Sequence, residues 1–364
     1  MRILHVADRL TDRGGAYTWM LGVMDGLMEA GHEVRLVVGT VDGRVNVPYP
    51  VDVQPGLEAR GAVSVDLDPL IRSIRPDVIH VQNVVNPAVL EWAVGRPNAV
   101  LTVQDHRFFC PARGKWTRSG APCREAMGFE TCASCFDHRP YFHEMTALTE
   151  RRLAAVRLAG AVTVLSRYVR EELVKVGVPA ARVRVVPPFV RDLDHAAAPD
   201  GPACVLFVGR LVATKGVEEA VEAWRRSGVG LPLVLAGTGP LRERFLPRVS
   251  KNGDPRIEAP GWVDREGLSS LYRRARALIL PPRWQEPFGM AGIEALSFGV
   301  PVAAWESGGI GEWHPGLGLV PWGDLDALAR ELAHAVDRRV TRPPSYPRNE
   351  AIGRLMVVYG RLAA

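Results

Sequence analysis

Residues 286–294 read Glu-Pro-Phe-Gly-Met-Ala-Gly-Ile-Glu, so two acidic residues, Glu286 and Glu294, stand eight positions apart. Proline at the second position and glycine soon after it are typical of a tight loop that opens a helix. If the helix begins near Gly289, Glu286 lies in the loop before it and Glu294 lies on its second turn. We therefore expect the two carboxylates to face one cavity at different depths.

The chemistry of this segment predicts a ligand that carries both hydroxyl and phosphate groups. A helix N-terminus offers free backbone N–H groups, which bind phosphate. Carboxylates are poor phosphate ligands but accept hydrogen bonds from sugar hydroxyls. We predict a sugar or ribose at each acid and phosphate between them. Spacing alone leaves one alternative open, a surface helix with two unrelated acids.

Length and composition favour a two-domain soluble enzyme. The chain has 364 residues, of which 47% are apolar and 23% charged, and one core rarely spans that length. The net charge of +5 fits an anionic ligand or a membrane surface, but there is no dense basic run of the kind that binds nucleic acid. The chain enters a strand directly after Met1, without the pattern of a signal peptide or a membrane span. We predict a cytoplasmic protein and leave peripheral membrane contact open.

The first predicted domain covers residues 1–190. Ile3–Ala7 reads as a buried strand, Gly14 and Gly15 end the following loop, and an amphipathic helix comes next. This order is a βαβ unit whose turn suits phosphate, or equally a turn that passes close to the sheet. Polar clusters, Gln82–Asn83 and Gln104–His106, follow two further strands, at the edge where open α/β sheets bind ligands.

The second predicted domain covers residues 203–345. Pro187, Pro188 and the segment Ala196–Pro202 are typical of a linker. A buried strand, Cys204–Val208, then begins a second alternation of strands and helices. In the last segment, residues 346–364, apolar side chains recur at helical spacing from about Asn349.

Several motifs occur in the order and spacing of one enzyme family. They are Val208–Leu211 with Lys215–Gly216, Gly237–Pro240, Glu286 with Glu294, Gly299–Val302 and Gly308–Gly309. In these motifs the chain resembles the family-4 glycosyltransferases, which are retaining enzymes of the GT-B architecture. The resemblance implies an α/β fold with two Rossmann-like doubly wound domains facing a central cleft. It further implies that the first domain carries the acceptor side, that the second binds the nucleotide-sugar, and that the helix in 346–364 crosses back onto the first.

The resemblance also implies roles for individual residues. Arg210 and Lys215 would pair with the donor diphosphate, Glu286 would hold hydroxyls of the transferred sugar, and Glu294 would hold the ribose. Two cations in one loop can stabilise the charge that grows on a leaving diphosphate, so no catalytic metal is expected. Further donor contacts are implied for Gly14, Gly15, Gly209, Trp262, Val263, Phe288, Gly289 and Met290.

The chain departs from the family pattern in the first domain. Gln104 stands where the family usually has a histidine that contacts the donor sugar, and His106 follows two residues later. Glutamine can hydrogen-bond a hydroxyl but cannot titrate near neutral pH. We expect Gln104 to make the sugar contact, with His106 as the alternative catalytic residue. Gln82 replaces another common histidine, and Pro188–Phe189 replaces the usual Asn-Gly.

Four of the five cysteines lie in one insertion at about residues 107–138. Cys110, Cys123, Cys132 and Cys135 end in a Cys-x-x-Cys pair, which in a cytosolic protein favours metal over disulfides. Four thiolates fit a structural zinc ion, and an iron–sulfur cluster is the rival. Reduced thiols or disulfides remain a further alternative. Because the insertion follows Gln104, we expect it to shape the acceptor side.

Together these features predict a retaining glycosyltransferase that uses a nucleotide-diphospho-sugar donor. Its acceptor is not identified by the sequence, and a glycolipid, a polysaccharide precursor and a secondary metabolite all remain open. The alternatives are a sugar-nucleotide epimerase of the same fold and, because of Gln104, a catalytically weak sugar-nucleotide-binding relative.

Overall fold

The structure is a computed structural model that describes residues 1–43, 45–190, 193–196, 198–243, 254–341 and 343–363. It divides into two compact units. The first comprises Met1–Arg118, Cys123–Phe189 and Pro347–Ala364, and the second comprises Ser119–Pro122 and Val190–Tyr346. Within the described residues, no helix is both long enough and apolar enough to cross a bilayer.

The first unit contains a parallel sheet of seven strands with the order β3-β2-β1-β4-β5-β6-β7. Its inner strands are nearly continuous runs of buried apolar residues, as expected for a parallel sheet covered on both faces. The strands are β1 Arg2–Leu10, β2 Glu33–Val41, β3 Val51–Val53, β4 Val78–Gln82, β5 Ala99–Val103, β6 Ala161–Val164 and β7 Val183–Val185.

Helices of the first unit alternate with the strands, with two exceptions: none is described between β2 and β3, and the cysteine-rich insertion adds a helix. Ser166 caps the helix after β6: its hydroxyl accepts a hydrogen bond from Val169 N–H. The helices are α1 Gly15–Glu29, α2 Asp68–Ile74, α3 Pro87–Val94, α4 Phe129–Ala133, α5 Arg139–Leu158 and α6 Arg167–Lys175.

The second unit contains a parallel sheet of six strands with the order β10-β9-β8-β11-β12-β13. Its strands are β8 Cys204–Val208, β9 Leu233–Ala236, β10 Ile257–Gly261, β11 Ala275–Leu280, β12 Val302–Trp305 and β13 Leu319–Val320. Its helices include α7 Val217–Ser227, α8 Arg265–Arg274, α9 Met290–Ser297 and α10 Leu325–Ala335. Both sheets reverse their strand order beside the first strand, which confirms the predicted doubly wound α/β class.

The terminal helix, α11 Arg348–Leu362, belongs to the first unit, where it lies against α1. Gly26 on α1 permits this contact, because a Cβ atom there would lie 2.9 Å from Ile352 Cγ1. The helix also reaches the sheet: Tyr359 OH and His80 Nδ1 are 2.6 Å apart in the buried interior. The last fifteen helical residues of the chain therefore help to complete the core of its first unit.

Candidate functional site

The loop and helix around the two acids lie where the sequence predicts them. β11 ends at Leu280 and α9 begins at Met290, so Glu286 lies in the loop and Glu294 on the second turn of the helix. Gly289 is the N-cap with φ of 93°, a left-handed conformation that favours glycine. It supplies no side-chain cap, so the first N–H groups of α9 remain available to an anionic ligand.

Glu286 is held by two side-chain donors and by the backbone around it. Its side chain is buried, and its Oε2 atom accepts hydrogen bonds from Lys215 Nζ and from Trp284 Nε1, each at 2.7 Å. Its own N–H donates to Ser307 Oγ, and its carbonyl accepts from Gly309 N–H. The carboxylate therefore has a fixed position between a cation and a neutral N–H donor.

Glu294 lies deeper, with only 1% of its surface exposed. Tyr272, a fully buried residue of α8, donates its hydroxyl hydrogen to Glu294 Oε2 at 2.9 Å. The ring of Tyr272 stacks on Phe298, with ring centroids 5.4 Å apart. The two acids thus differ in environment as well as depth, since Glu286 meets an ammonium group and Glu294 meets a phenol.

The loop after β8 carries Arg210 and Lys215, the two cations predicted to bind the diphosphate, and only one of them is paired with an acid among the described residues. Arg210 is exposed, and within the described part of the chain its guanidinium makes neither a hydrogen bond nor an ion pair. Lys215 ends a short 3-10 helix, Ala213–Lys215, and is already paired with Glu286. Gly209 anchors the start of the loop, since its N–H donates to Ala236 O.

The remaining predicted donor contacts of the second unit fall into two groups. Phe288 and Gly289 precede α9 and Met290 is its first residue, and the buried ring of Phe288 meets Tyr346 edge-on at 5.5 Å. Trp262 and Val263 directly follow β10, and Trp262 is 41% exposed. Val263 lines a pocket of about 430 Å³, together with Pro260 and Leu271.

In the first unit, Gln104 and His106 have contrasting environments. Gln104 follows β5 and is 7% exposed, and neither its Oε1 nor its Nε2 has a hydrogen-bond partner among the described residues. His106 is buried. Its Nε2 atom lies 3.1 Å from the hydroxyl oxygen of Tyr168, and its ring packs edge-on against the ring of Phe109. Buried polar atoms without partners are costly. This contrast favours Gln104 for a ligand and a structural position for His106.

The carboxyl edge of the same sheet holds further polar groups. Asn83, directly after β4, is a non-glycine residue with φ of 63°, and its buried Nδ2 has no partner among the described residues. Asp8 near the end of β1 accepts the hydroxyl of Tyr17 at 2.9 Å, and burial raises the pKa of this carboxyl. Left-handed residues and unsatisfied buried groups concentrate at functional sites.

Gly14 and Gly15 lie at the start of α1, as the sequence predicts. Gly14 is the N-cap with φ of 107° and makes no side-chain cap, and both Gly14 and Gly15 are exposed. The turn between β1 and α1 is therefore open to an anion at the helix N-terminus. Whether these amides meet a donor held by the second unit stays a prediction.

The four cysteines of the insertion do not form a metal centre in the structure. All four are free thiols, and the described residues contain no group of three or more His, Cys, Asp or Glu arranged to hold a metal ion. Burial raises the pKa of the Cys132 thiol, with smaller contributions of the same sign from its three neighbours. Raised thiol pKa values disfavour the thiolate that a metal needs. The zinc prediction is thus without structural support.

Sequence reasoning missed three aromatic residues that position the site. Trp284 and Tyr272 hold the two acids, and Trp313 donates to Phe288 O. A Cβ atom on Gly292 would lie 1.9 Å from the Trp313 ring, so this glycine makes room for tryptophan under α9. Of the three, only Trp284 lies close in sequence to the acid that it contacts. No known sequence pattern predicts a hydrogen bond from a tryptophan to a glutamate two residues later.

Two family profiles match consecutive parts of the chain. The family described as "Glycosyltransferase Family 4" matches residues 13–192, and "Glycosyl transferases group 1" matches residues 191–339. Together they span residues 13–339, which include most of both units.

Curated relatives match at the level of distant homologues. A glycogen synthase of Mycobacterium tuberculosis is 30% identical over 258 residues, which are 66% of this chain and 55% of that protein. A 2-deoxystreptamine N-acetyl-D-glucosaminyltransferase of Streptomyces fradiae is 30% identical over 218 residues, covering 53% of this chain and 51% of that enzyme. The matched part is therefore about half the length of these relatives.

Solved structures share the fold across the whole chain. Sucrose-phosphate synthase from Thermosynechococcus elongatus matches with a TM-score of 0.67 and 19% identity, covering 100% of this chain and 96% of that one. Anabaena HepE, solved in complex with UDP and glucose, has a TM-score of 0.64 and 15% identity, covering 99% and 95%. With both profiles matched in order on two doubly wound sheets, the chain belongs to the family-4-like glycosyltransferases and has the GT-B fold.

Proposed function

We propose that the chain is a retaining glycosyltransferase that moves a sugar from a nucleotide-diphospho-sugar to an acceptor hydroxyl. One observation carries the proposal: Glu286 and Glu294 are both buried, both fixed by side-chain donors, and placed on either side of the uncapped start of α9. Carboxylates suit the hydroxyls of the sugar and the ribose, and the helix N-terminus suits phosphate between them.

The diphosphate is assigned to Arg210 and Lys215. When the bond between the sugar and the diphosphate breaks, negative charge grows on the bridging oxygen. Cations already in place stabilise such charge most strongly where water is excluded. In this proposal they take the role that a divalent metal has in other transferases, so activity is expected to persist in the presence of a chelator.

Other residues are assigned to the donor by their positions. Phe288, Gly289 and Met290 line the start of α9, Gly209 lies in the cation loop, and Trp262 and Val263 lie near the nucleobase. Gly14 and Gly15 offer amides from the first unit, and Gln104 contacts the transferred sugar. Support for a nucleotide-sugar donor comes from the UDP and UDP-glucose complexes of HepE.

A donor screen followed by acceptor profiling tests the proposal. Thermal shift with UDP-, GDP- and ADP-sugars selects the donor, and product analysis with glycolipid, polysaccharide-precursor and small-molecule acceptors follows. Transfer with the anomeric configuration kept supports the proposal. A change in the sugar with no acceptor present would instead identify an epimerase, and donor binding without turnover on any acceptor would identify a binding protein.

We also infer a structural zinc ion at Cys110, Cys123, Cys132 and Cys135. The support is the spacing and the loop-rich sequence between them, which packing alone would not order. The thiols influence one another electrostatically, so they lie in one neighbourhood, although not in the arrangement of a formed metal site. The ion would hold the insertion together and take no part in the transfer.

A further inference from the structure

We propose that Lys215 changes partners when the donor binds: it breaks its ion pair with Glu286 and pairs with the diphosphate instead. Trp284 is then the positioning residue that keeps the Glu286 carboxylate in place for the sugar. This inference rests on the function proposed above and concerns the order of events at the same site. It assigns a role to Trp284, which the motifs of the chain do not single out.

Two donors meet at a single carboxylate oxygen of Glu286. Lys215 Nζ and Trp284 Nε1 both donate to Glu286 Oε2 at 2.7 Å, and Lys215 Nζ also lies 4.5 Å from the centroid of the Trp284 ring. Within the described residues, no hydrogen bond reaches the second oxygen, Oε1. The carboxylate thus has one oxygen shared by two donors and one oxygen left for a ligand hydroxyl.

Lys215 has two candidate partners, and a diphosphate is the stronger one. A diphosphate carries more negative charge than one carboxylate, and an ammonium group binds phosphate as a point charge. The Lys215 side chain is 20% exposed, whereas that of Glu286 is 8% exposed. The lysine can therefore move towards a ligand while the glutamate stays in place.

Removing Lys215 from Glu286 has a cost that a sugar can offset. A buried carboxylate that loses its cation is strongly destabilised unless other donors replace it. The indole N–H of Trp284 cannot follow the diphosphate, and sugar hydroxyls supply further donors. The exchange therefore couples the two halves of the donor, because the diphosphate releases Glu286 and the sugar hydroxyls then stabilise it.

The first test uses the Glu286→Gln variant and nucleoside diphosphates without a sugar. Because neutral glutamine no longer competes for Lys215, we expect the best ligand among UDP, GDP and ADP to bind about three- to tenfold more tightly than to the wild-type protein. Glu331→Gln is the matched control, since it removes one carboxylate of α10 in the same unit, and that carboxylate is likewise paired with a cation, Arg338. Unchanged or weaker binding to Glu286→Gln would overturn the exchange.

The second test separates positioning from folding with Trp284→Phe, which keeps an aromatic ring under Lys215 but removes the N–H. We expect nucleoside diphosphate affinity to stay within about twofold while turnover of the donor sugar falls about tenfold or more, since a hydrogen bond to a charged group is lost. Trp322→Phe is the control, because Trp322 Nε1 donates only to a backbone carbonyl, that of Pro282, among the bonds described. Equal turnover in Trp284→Phe and wild type, or parallel losses of binding and turnover, would refute the role of Trp284.

The two proposals fail in distinguishable ways. If wild-type protein binds none of the three nucleoside diphosphates and none of their sugars, the proposed function is wrong. If wild type binds and transfers, but Glu286→Gln gains no affinity, the function stands and the partner exchange is wrong.

Discussion

Lys215 Nζ lies 2.7 Å from Glu286 Oε2, although the two residues are 71 positions apart in the sequence. Each belongs to a different strand-end loop of the second unit, one after β8 and one after β11. These strands are neighbours in the sheet, so both loops emerge at the same carboxyl edge. The pair joins the residue assigned to the diphosphate with the residue assigned to the sugar.

Removing either cation of the strand-end loop should slow transfer. For Arg210→Ala and Lys215→Ala we expect a loss of about 2–4 kcal/mol in transition-state stabilisation, the scale of losing one preorganised donor. Because Arg210 is exposed and its guanidinium makes neither a hydrogen bond nor an ion pair with the described residues, its variant should keep the wild-type unfolding temperature. Steady-state kinetics measures the effect, with the exposed Arg330→Ala on α10 as the control. Turnover close to wild type in both variants would contradict the assignment.

Glu294 should matter for nucleotide binding more than for turnover. We expect Glu294→Gln to weaken nucleoside diphosphate binding, because the ribose loses a charged acceptor. Tyr272→Phe should weaken it to a smaller extent, since it removes the hydrogen bond that orients the carboxylate, a contribution of about 1.5–3 kcal/mol at most. Calorimetric titration with the diphosphate alone gives both values. Equal loss of affinity in Glu294→Gln and Glu286→Gln would show that the two acids do not divide the donor between ribose and sugar.

Substitution of Gln104 should mainly affect turnover, whereas substitution of His106 should mainly affect stability. Gln104→Ala removes a buried amide that makes no hydrogen bond with the described residues, so we expect turnover to fall about tenfold with little change in stability. His106→Ala removes packing against Phe109 and Tyr168 and should mainly lower the unfolding temperature. Kinetics and thermal unfolding on the same two preparations decide between them. A large loss of turnover in a stable His106→Ala protein would reverse the assignment.

Stability of the first unit should fall as the pH drops below neutrality. Burial lowers the pKa of His5 to about 3 and holds the pKa of His80 well below its usual value. Between those values and about 6.5 the unfolded chain binds protons that the folded chain does not, so each histidine reduces stability by up to about 1.4 kcal/mol per pH unit. Urea unfolding followed by circular dichroism at pH 7.5, 6 and 5 measures the slope. His5→Asn should make it shallower, and a flat profile in the wild type would contradict the neutral buried pair.

Metal analysis tests the zinc site that we propose from the spacing of the four cysteines. Protein purified without chelator should contain about one zinc ion per chain, and Cys132→Ser or Cys135→Ser should lose the metal and impair acceptor use more than donor binding. Elemental analysis and thiol titration provide the measurement. Four titratable thiols with less than about 0.2 zinc or iron per chain would establish reduced cysteines, the arrangement that the structure contains.

The sequence by itself determined the class of fold and the backbone of the site. Strand β8 is an unbroken apolar run, β5 is apolar except for Thr102, and Gly289 before α9 marks a helix start, so local pattern was enough. Three strands were not predicted, β3, β10 and β13. Strands β3 and β13 have only three and two residues, and β10 contains a proline, which weakens a strand pattern. The family resemblance followed from the same local motifs.

Tertiary structure decided which groups touch. Nothing in the sequence pairs Tyr272 with Glu294, or brings His80 to Tyr359, 279 positions away. It also distinguished buried Gln104, without a partner among the described residues, from His106 packed against Phe109. Hydrogen bonds and packing depend on how strands are ordered in a sheet and how helices lie upon it. These long-range arrangements produce no periodic pattern of apolar residues, so they cannot be predicted from the sequence in the way that a strand or a helix can. Local pattern therefore located the acids, whereas the order of β8 and β11 in the sheet brought Lys215 to Glu286.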